Sequence, residues 1–168
     1  MTTHYLSYYT SPLGVITLGA DEIGLTGLWF EGQKYYGRGL SANSQIADRL
    51  IFRESALWLD QYFNGQKPDF MPQIHLQGTN FQQAVWRQLL RIPYGQTVTY
   101  KHIAHELARE MGVEHMSAQA VGNAVGRNPV SIIIPCHRVL GTDGSLRGYA
   151  GGLHRKQWLL HQEGIVIK

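Results

Sequence analysis

The feature that most restricts the fold of this 168-residue chain is a change of pattern at residues 66–79. This segment, QKPDFMPQIHLQGT, contains two prolines and a glycine, residues that interrupt helices and strands. Short strand-like runs precede it, whereas apolar residues at helical spacing dominate the chain that follows. The change predicts an α+β fold class with two domains, residues 1–78 and 79–168.

The first domain is predicted to be a small antiparallel sheet followed by a helix. HYLSYYT, VITLGA and LTGLWF have strand-like composition, and the turns SPLG and DEIG separate them. From about Gln45 to Phe63 the apolar residues broadly follow a helical period, and Gly65 supplies a stop. The apolar positions of this predicted helix are Ile46, Leu50, Ala56, Leu57, Leu59 and Phe63.

The second domain is predicted to be mainly helical. Thr79 and Asn80 can each cap a helix whose apolar stripe includes Trp86. Thr99 can cap the next helix, YKHIAHELARE, and after a short turn MSAQAVGNAVGRNP predicts a third, which Pro129 ends. Two helices joined by a tight turn, the second rich in small residues, indicate a helix-turn-helix in a winged-helix-like domain.

Basic charge is concentrated in this second domain. Residues 1–78 carry five Lys or Arg against seven Asp or Glu, a balance of −2, whereas residues 79–168 carry ten against five, a balance of +5. A basic half of this kind indicates a polyanionic partner. No apolar stretch approaches the roughly 18 residues that a membrane span requires, so no membrane partner is expected.

Cys136 is the only cysteine, and it directly follows the run IIIP at residues 132–135. A single cysteine cannot form an intramolecular disulfide, so its free thiol is typical of a reducing compartment. The N-terminus has neither the basic start nor the apolar core of a signal peptide, and a cytoplasmic protein is therefore expected. The simplest alternative use of the thiol is as a small buried apolar group.

The neighbours of Cys136 indicate a chemical use for the thiol. The run before it is predicted to be a buried strand. His137 and Arg138 follow, and adjacent positive charge lowers the pKa of a thiol and so favours the nucleophilic thiolate. Because adjacent residues on a strand point to opposite faces, contact between Cys136 and His137 would require a turn or a bridging water. A general base is usually oriented by a third group, and Glu163 is an available carboxylate.

The sequence around this thiol resembles one family. PCHRV, at residues 135–139, is similar to the active-site signature of the O6-alkylguanine-DNA alkyltransferases, also called methylated-DNA–protein-cysteine methyltransferases, and in particular of their bacterial members. The resemblance covers residues 80–164 closely, through FQQAVWRQLLRIPYGQTVTY, AVGNAVGRNPVSIIIPCHRV and GYAGGLHRKQWLLHQEG. The first 78 residues are similar only in plan to the ribonuclease-H-like N-terminal domain of that family.

The resemblance implies DNA repair by direct reversal of damage. Such a protein binds double-stranded DNA as a monomer and rotates an O6-alkylguanine, or an O4-alkylthymine, out of the stack. It then transfers the alkyl group irreversibly to its own cysteine, here Cys136, so that each molecule acts once. The resemblance implies no cofactor and no metal.

Roles for individual residues also follow from the resemblance. His137 would be the base, acting through a water, and Glu163 would orient it. Tyr100 would help to expel the nucleotide and donate its hydroxyl to the guanine ring, while Asn128 would tie the recognition helix to the active-site turn. The base pocket would be formed by Val125, Ser131, Val139, Tyr149, Ala150, Gly151 and Lys156. DNA contacts would come from Thr99, Lys101, Ala118, Gln119, Asn123 and Arg127.

Three positions depart from the pattern of the family. Gln119 stands where many members carry an arginine that fills the gap left by the rotated base. Ala150 replaces a serine, and Ser131 stands where some members carry a proline that lines the pocket. The last two changes leave the range of accepted alkyl groups open.

The sequence leaves three other interpretations open. An alkyltransferase-like protein would only bind the lesion, but such proteins lack the cysteine that this chain has at Cys136. A helix-turn-helix transcription factor would need a recognition helix with more long polar side chains. A structural metal site could involve His102 and His105, with Glu106 beside them, although no further ligands have a convincing spacing.

Replacing Gln119 by alanine is expected to slow repair of methylated duplex DNA by about 2- to 10-fold, the effect of losing one partly exposed hydrogen bond. The amide would otherwise bond to the base left without its partner. The measurement is the second-order rate of methyl transfer from a duplex that contains O6-methylguanine. A variant as fast as the parent would remove this role from Gln119.

Overall fold

The computed structural model describes residues 2–167. Contacts between Cα atoms divide the chain into two compact units, Met1–Gln77 and Gly78–Lys168. The boundary suggested by the sequence falls one residue later. Among residues 2–167, no helix is both long enough and apolar enough to cross a membrane.

The first unit contains an antiparallel three-stranded meander. Strands β1 (Tyr5–Ser11), β2 (Gly14–Ala20) and β3 (Leu25–Phe30) are joined by tight turns, and β2 lies between the other two. The buried carboxylate of Asp21 stabilises the second turn by accepting hydrogen bonds from the backbone N–H groups of Ile23 (2.9 Å) and Gly24 (3.0 Å). All residues of β3 are buried, so this strand lies in the core of the unit.

The helix of the first unit begins later than the sequence suggests. Gln45–Ile46 form a short strand, β4, which pairs in parallel with β1 at the edge of the sheet. Helix α1 spans Leu50–Phe63, and two of the apolar positions named from the sequence, Leu50 and Leu57, are exposed. The buried face of the helix is mainly aromatic and consists of Phe52, Ser55, Trp58, Leu59 and Tyr62.

The proline-containing segment that precedes the second unit lies along β3. Leu25 donates its N–H to the Gln73 carbonyl, and the His75 N–H donates to the Leu25 carbonyl, each at 2.8 Å. Nδ1 of His75 lies 2.6 Å from the Asp21 carboxylate. The segment is therefore held to the sheet although it forms no regular strand.

The second unit is mainly helical and contains the predicted helix-turn-helix. Its α-helices and short strands are α2 (Asn80–Leu90), β5 (Val98–Thr99), α3 (Tyr100–Met111), α4 (Ala118–Gly126), β6 (Val139–Leu140) and α5 (Leu153–Gln162). Helices α3 and α4 form the helix-turn-helix. Gly112 ends α3 in the left-handed conformation, at φ 68°, and the Ser117 hydroxyl caps the start of α4. The buried Trp86 indole donates a 2.9 Å hydrogen bond to the Ala124 carbonyl and so links α2 to α4.

The apolar run before the cysteine is not a strand, in contrast to the prediction. Residues 131–134 form tight turns in which Ile132 has a positive φ of 70° and Ile134 donates its N–H to the Val130 carbonyl. A 3₁₀ helix then spans Cys136–Arg138, and β6 follows it and pairs in parallel with β5. The continuous apolar run suggested a buried strand, but turns between Pro129 and Pro135 bury the same residues equally well.

Replacing Thr79 by alanine is expected to destabilise the second unit by about 1 kcal/mol, because a capping box at the start of α2 is lost. The Thr79 hydroxyl accepts from the Gln82 N–H, and the Gln82 side chain accepts from the Thr79 N–H, each at 3.1 Å. Thermal unfolding of this unit should show a fall of roughly 4–8 °C in Tm. Thr79→Ser keeps the hydroxyl and serves as the control. An equal fall for both variants would contradict the capping role.

Candidate active site

Cys136 is the first residue of the 3₁₀ helix, and only 5% of its surface is exposed. Burial raises the pKa of its thiol above the ordinary value. Two neighbours oppose this shift and favour the thiolate: a hydrogen bond from the Asn128 side chain and the positive charge of Lys156. Burial prevails, so in this conformation the thiol holds its proton at neutral pH and needs a base to become a nucleophile.

His137 and Glu163 form a buried pair directly beside the thiol residue. Nε2 of His137 lies 2.6 Å from Oε2 of Glu163, and neither side chain is exposed. Burial by itself would raise the pKa of Glu163, but hydrogen bonds and charge from His137 and Arg138 outweigh burial and lower the pKa to about 2. The ionised carboxylate can only accept, so Nε2 of His137 carries the hydrogen and Nδ1 carries the lone pair.

Arg138 contacts the carboxylate of Glu163, whereas the sequence suggested that it would help to activate the thiol. Its Nε donates to Oε1 at 2.8 Å, and Nη2 donates to Oε2 at 3.2 Å. Nη1 donates to the Ile92 carbonyl at 2.7 Å. The cation that favours the thiolate is Lys156 instead. The arrangement differs from the prediction because the chain turns in a 3₁₀ helix at this point, and the alternation expected of a strand does not apply.

The turn after α2 completes the surroundings of Glu163. Gly95 has a φ of 80°, and its backbone N–H donates to Oε1 of Glu163 at 2.9 Å. Sequence reasoning missed both Gly95 and the Ile92 carbonyl as parts of the site. The motif IPYGQ indicates a turn, but nothing in a sequence reveals which backbone groups of that turn meet a distant carboxylate.

Asn128 connects the end of α4 to the turn that carries the thiol. It is buried, its Nδ2 donates to the Ile134 carbonyl at 2.8 Å, and its Oδ1 accepts from the Val130 N–H at 3.0 Å. With the bond to Cys136, the same side chain serves both the backbone of the turn and the sulfur. These hydrogen bonds fasten the end of α4 to the turn, and the hinge role of Asn128 stays a prediction.

Tyr100 and Lys156 lie close to one another and to Cys136. Nζ of Lys156 is 5.9 Å from the centre of the Tyr100 ring, and both groups interact electrostatically with the thiol. Burial, with a contribution from Cys136, raises the pKa of Tyr100 to about 12, so its hydroxyl remains a hydrogen-bond donor at neutral pH. Lys156 has no exposed surface, and burial lowers its pKa to about 8. Its ammonium donates to the carbonyls of Arg147 (3.1 Å) and Gly148 (3.4 Å).

The remaining predicted pocket residues differ in exposure. Val125, Ser131, Val139 and Gly151 are buried, whereas Tyr149 and Ala150 are partly exposed. Burial, followed by the charge of Cys136, raises the pKa of the Tyr149 hydroxyl. The structure therefore brings Tyr149 close to the thiol.

Most of the predicted DNA contacts are exposed on the helix-turn-helix. Lys101 lies at the start of α3, and Ala118, Gln119 and Asn123 lie along α4 with exposed side chains. Arg127, which caps the end of α4, is partly buried. The Thr99 hydroxyl accepts the His102 N–H at 3.0 Å, so its first function is to cap α3.

The metal alternative finds little support on α3. His102 and His105 are exposed, and Glu106 lies 3.3 Å from Arg109 in a surface ion pair. Within residues 2–167, no three or more His, Cys, Asp or Glu side chains are grouped as a metal ion would require.

These features define a class of protein, in which a sheet domain precedes a helix-turn-helix domain with a buried cysteine beside a His–carboxylate pair. Comparison with known proteins supplies the family. The ribonuclease-like domain of 6-O-methylguanine DNA methyltransferase matches residues 4–76, and the DNA binding domain matches residues 80–165. The chain therefore belongs to the 6-O-methylguanine DNA methyltransferase family.

The similarity to individual relatives extends over nearly the whole chain. The chain is 43% identical over 160 residues to the methylated-DNA–protein-cysteine methyltransferase of Methanosarcina barkeri, covering 95% of this chain and 96% of that protein. The relative of the same name from Haemophilus influenzae is 40% identical over 168 residues, covering 98% and 89%. Mycobacterium tuberculosis OGT in complex with DNA has a TM-score of 0.78 and 39% identity, covering 96% and 92%. The predicted family and fold class are confirmed.

Replacing Glu163 by glutamine is expected to remove a pH-dependent part of the stability. The folded-state pKa of about 2 lies below the ordinary value of 4.5, so the carboxylate stabilises the fold fully above about pH 4.5 and progressively less as the pH falls toward 2. The difference in free energy of unfolding between parent and variant should therefore shrink over this range in denaturant titrations. Glu114→Gln, at an exposed position, controls for the loss of one charge. A difference that does not change with pH would contradict this role of Glu163.

Proposed function

We propose that this protein repairs O6-alkylguanine in double-stranded DNA by transferring the alkyl group to Cys136. O4-alkylthymine is proposed as a second substrate, since it presents an equivalent alkyl carbon on an aromatic oxygen. The observation that carries the proposal is the placement of the chain's one thiol, which is next to the buried His137–Glu163 pair and bonded to Asn128. Membership of the family supports the same reaction.

The reaction begins with removal of the thiol proton. Because Glu163 fixes the hydrogen of His137 on Nε2, Nδ1 can take the proton of Cys136 through a water. The positive charge of Lys156 and the Asn128 amide stabilise the thiolate that results. A base is needed here because burial opposes ionisation of the thiol.

The transfer is a single displacement at carbon. The sulfur attacks the sp3 carbon of the alkyl group, and the C–S bond forms as the bond from that carbon to O6 breaks. The guanine leaves as an anion, which a hydrogen bond from the Tyr100 hydroxyl would stabilise and one proton neutralises. In total the thiol proton has moved to the guanine. The thioether is stable and no group at the site can reverse its formation, so each molecule acts once.

DNA would reach this site through the helix-turn-helix. The exposed Lys101, Gln119 and Asn123 are proposed to contact the duplex, and the basic balance of residues 79–168 favours phosphate binding. The lesion must be rotated out of the stack before the sulfur can reach it. Because Cys136 is only 5% exposed, the side chains that cover it must move as the base enters. Asn128, bonded at the end of α4, would connect DNA binding to the position of the turn.

We further propose that the protein acts as a monomer in the cytoplasm and uses no cofactor. A reducing compartment keeps its thiol available for reaction. The alkyl group passes directly from DNA to sulfur, and neither reactant changes its oxidation state in a way that requires a redox partner.

Incubation with a duplex that contains O6-methylguanine is expected to increase the mass of the protein by about 14 Da, on the peptide that contains Cys136. This increase is the net gain of one CH2 when a methyl group replaces the thiol hydrogen. Cys136→Ser should show no mass increase while still binding the duplex. The measurements are intact-mass and peptide mass spectrometry, with a gel-shift assay for binding. A methyl group on another residue, or none on the parent protein, would overturn the proposal.

A further inference from the structure

We propose that Arg138 is a positioning residue of the acceptor site: its two-point contact with Glu163 neutralises that carboxylate and keeps His137 an uncharged imidazole that can take the thiol proton. This inference rests on the proposed function and adds to it a residue that contacts neither the sulfur nor the substrate. It also explains why an arginine follows the histidine directly in PCHRV.

The geometry around Glu163 supports a strong coupling. Oε1 accepts from Arg138 Nε and from the Gly95 N–H, while Oε2 accepts from His137 Nε2 and Arg138 Nη2. Both oxygens are thus shared between the arginine and another donor. Two parallel N–H···O contacts from one guanidinium fix both the orientation and the charge of a carboxylate.

The guanidinium changes what the carboxylate does to the imidazole. An ionised carboxylate alone at 2.6 Å would favour the imidazolium form, which has no lone pair to accept a proton. Burial has the largest effect on the pKa of His137 and lowers it. The hydrogen bond and charge of Glu163 raise this pKa, the charges of Arg138 and Lys156 lower it, and the net direction is a lowered pKa. Burial, with a contribution from the charge of Glu163, raises the pKa values of the Tyr94 and Tyr149 hydroxyls, so neither carries a charge at neutral pH.

Arg138 is itself held in place by the turn after α2. Nη1 donates to the Ile92 carbonyl at 2.7 Å, and the guanidinium lies 5.7 Å from the centre of the Tyr94 ring. These contacts fix the guanidinium in its position beside Glu163. They also mean that removing Arg138 disturbs packing and leaves a buried carboxylate with one partner fewer, so a single substitution is an insufficient test.

The test compares the pH dependence of methyl transfer from methylated duplex DNA in the parent, Arg138→Met and Arg138→Lys. The rate should rise with pH as His137 loses its proton. In Arg138→Met the midpoint should move to higher pH by about one unit or more, the effect of removing a nearby charge. At a pH below both midpoints, Arg138→Met should therefore react roughly tenfold more slowly than the parent. Arg138→Lys keeps the charge, so its midpoint should stay near that of the parent even if the maximal rate falls.

Two further variants keep the test decisive if Arg138→Met does not fold. Glu163→Gln and the double variant Arg138→Met/Glu163→Gln differ only in the cation, and neither leaves a buried carboxylate without its arginine. The midpoint of the double variant should lie above that of Glu163→Gln. Arg87→Met, at an exposed position of α2, is the matched control and should behave as the parent. Unfolding temperatures measured at each pH separate a lost fold from a shifted midpoint.

The outcomes distinguish the two proposals. If the parent protein does not acquire the methyl group, the proposed function fails. If the parent reacts but Arg138→Met leaves the midpoint unchanged, both in the parent and in Glu163→Gln, the role of Arg138 fails and the proposed function stands. A midpoint that moves equally in Arg138→Lys and Arg138→Met would also overturn the inference, since charge would then not be the cause.

Discussion

Glu163 is ionised at a place where its side chain has no exposure to solvent, and a charge in such a place costs several kcal/mol to bury unless it is fully paired. Glu163 lies at the end of α5, and its partners come from two distant stretches of the chain: the turn that contains Gly95, and the 3₁₀ helix with His137 and Arg138. Correct folding of the second unit must therefore bring these stretches together. The position of the base, and through it the chemistry of the thiol, depends on this one carboxylate.

A buried thiol with a raised pKa is less reactive at neutral pH than a permanently ionised cysteine. The thiolate is the form that reacts with oxidants and with electrophiles other than the substrate. A thiol that keeps its proton until a base removes it is therefore protected while no damaged DNA is bound. Lys156 and Asn128 are arranged to stabilise the thiolate once it forms. For a protein proposed to react once, protection of the unreacted sulfur matters as much as its reactivity.

Local patterns in the sequence were sufficient for elements whose periodicity is regular. The meander and helices α2 and α3 follow directly from alternation, helical spacing and caps such as Thr79 and Thr99. The candidate site residues came from the family resemblance, since spacing alone cannot show that Glu163 meets His137 across 26 positions. Local patterns failed at residues 131–138, where uniform burial carries no period and the turn with Ile132 at positive φ leaves no sequence signal. The direction of Arg138 could not be predicted because it follows from that same turn.

Helix α4 is connected by hydrogen bonds to the turn that precedes the thiol. The Trp86 indole holds the backbone of α4 at Ala124, and Asn128, two residues beyond the helix, bonds to the turn on both sides of Ile132. The buried side chains of α4, those of Val121, Ala124 and Val125, are short and have little freedom to absorb a displacement of the helix. If DNA binds on the exposed face of α4, as proposed, the hydrogen bonds of Asn128 would carry a displacement of the helix to the turn. The hydrogen bond from the same side chain to the sulfur then makes the ionisation of Cys136 sensitive to how the duplex is bound.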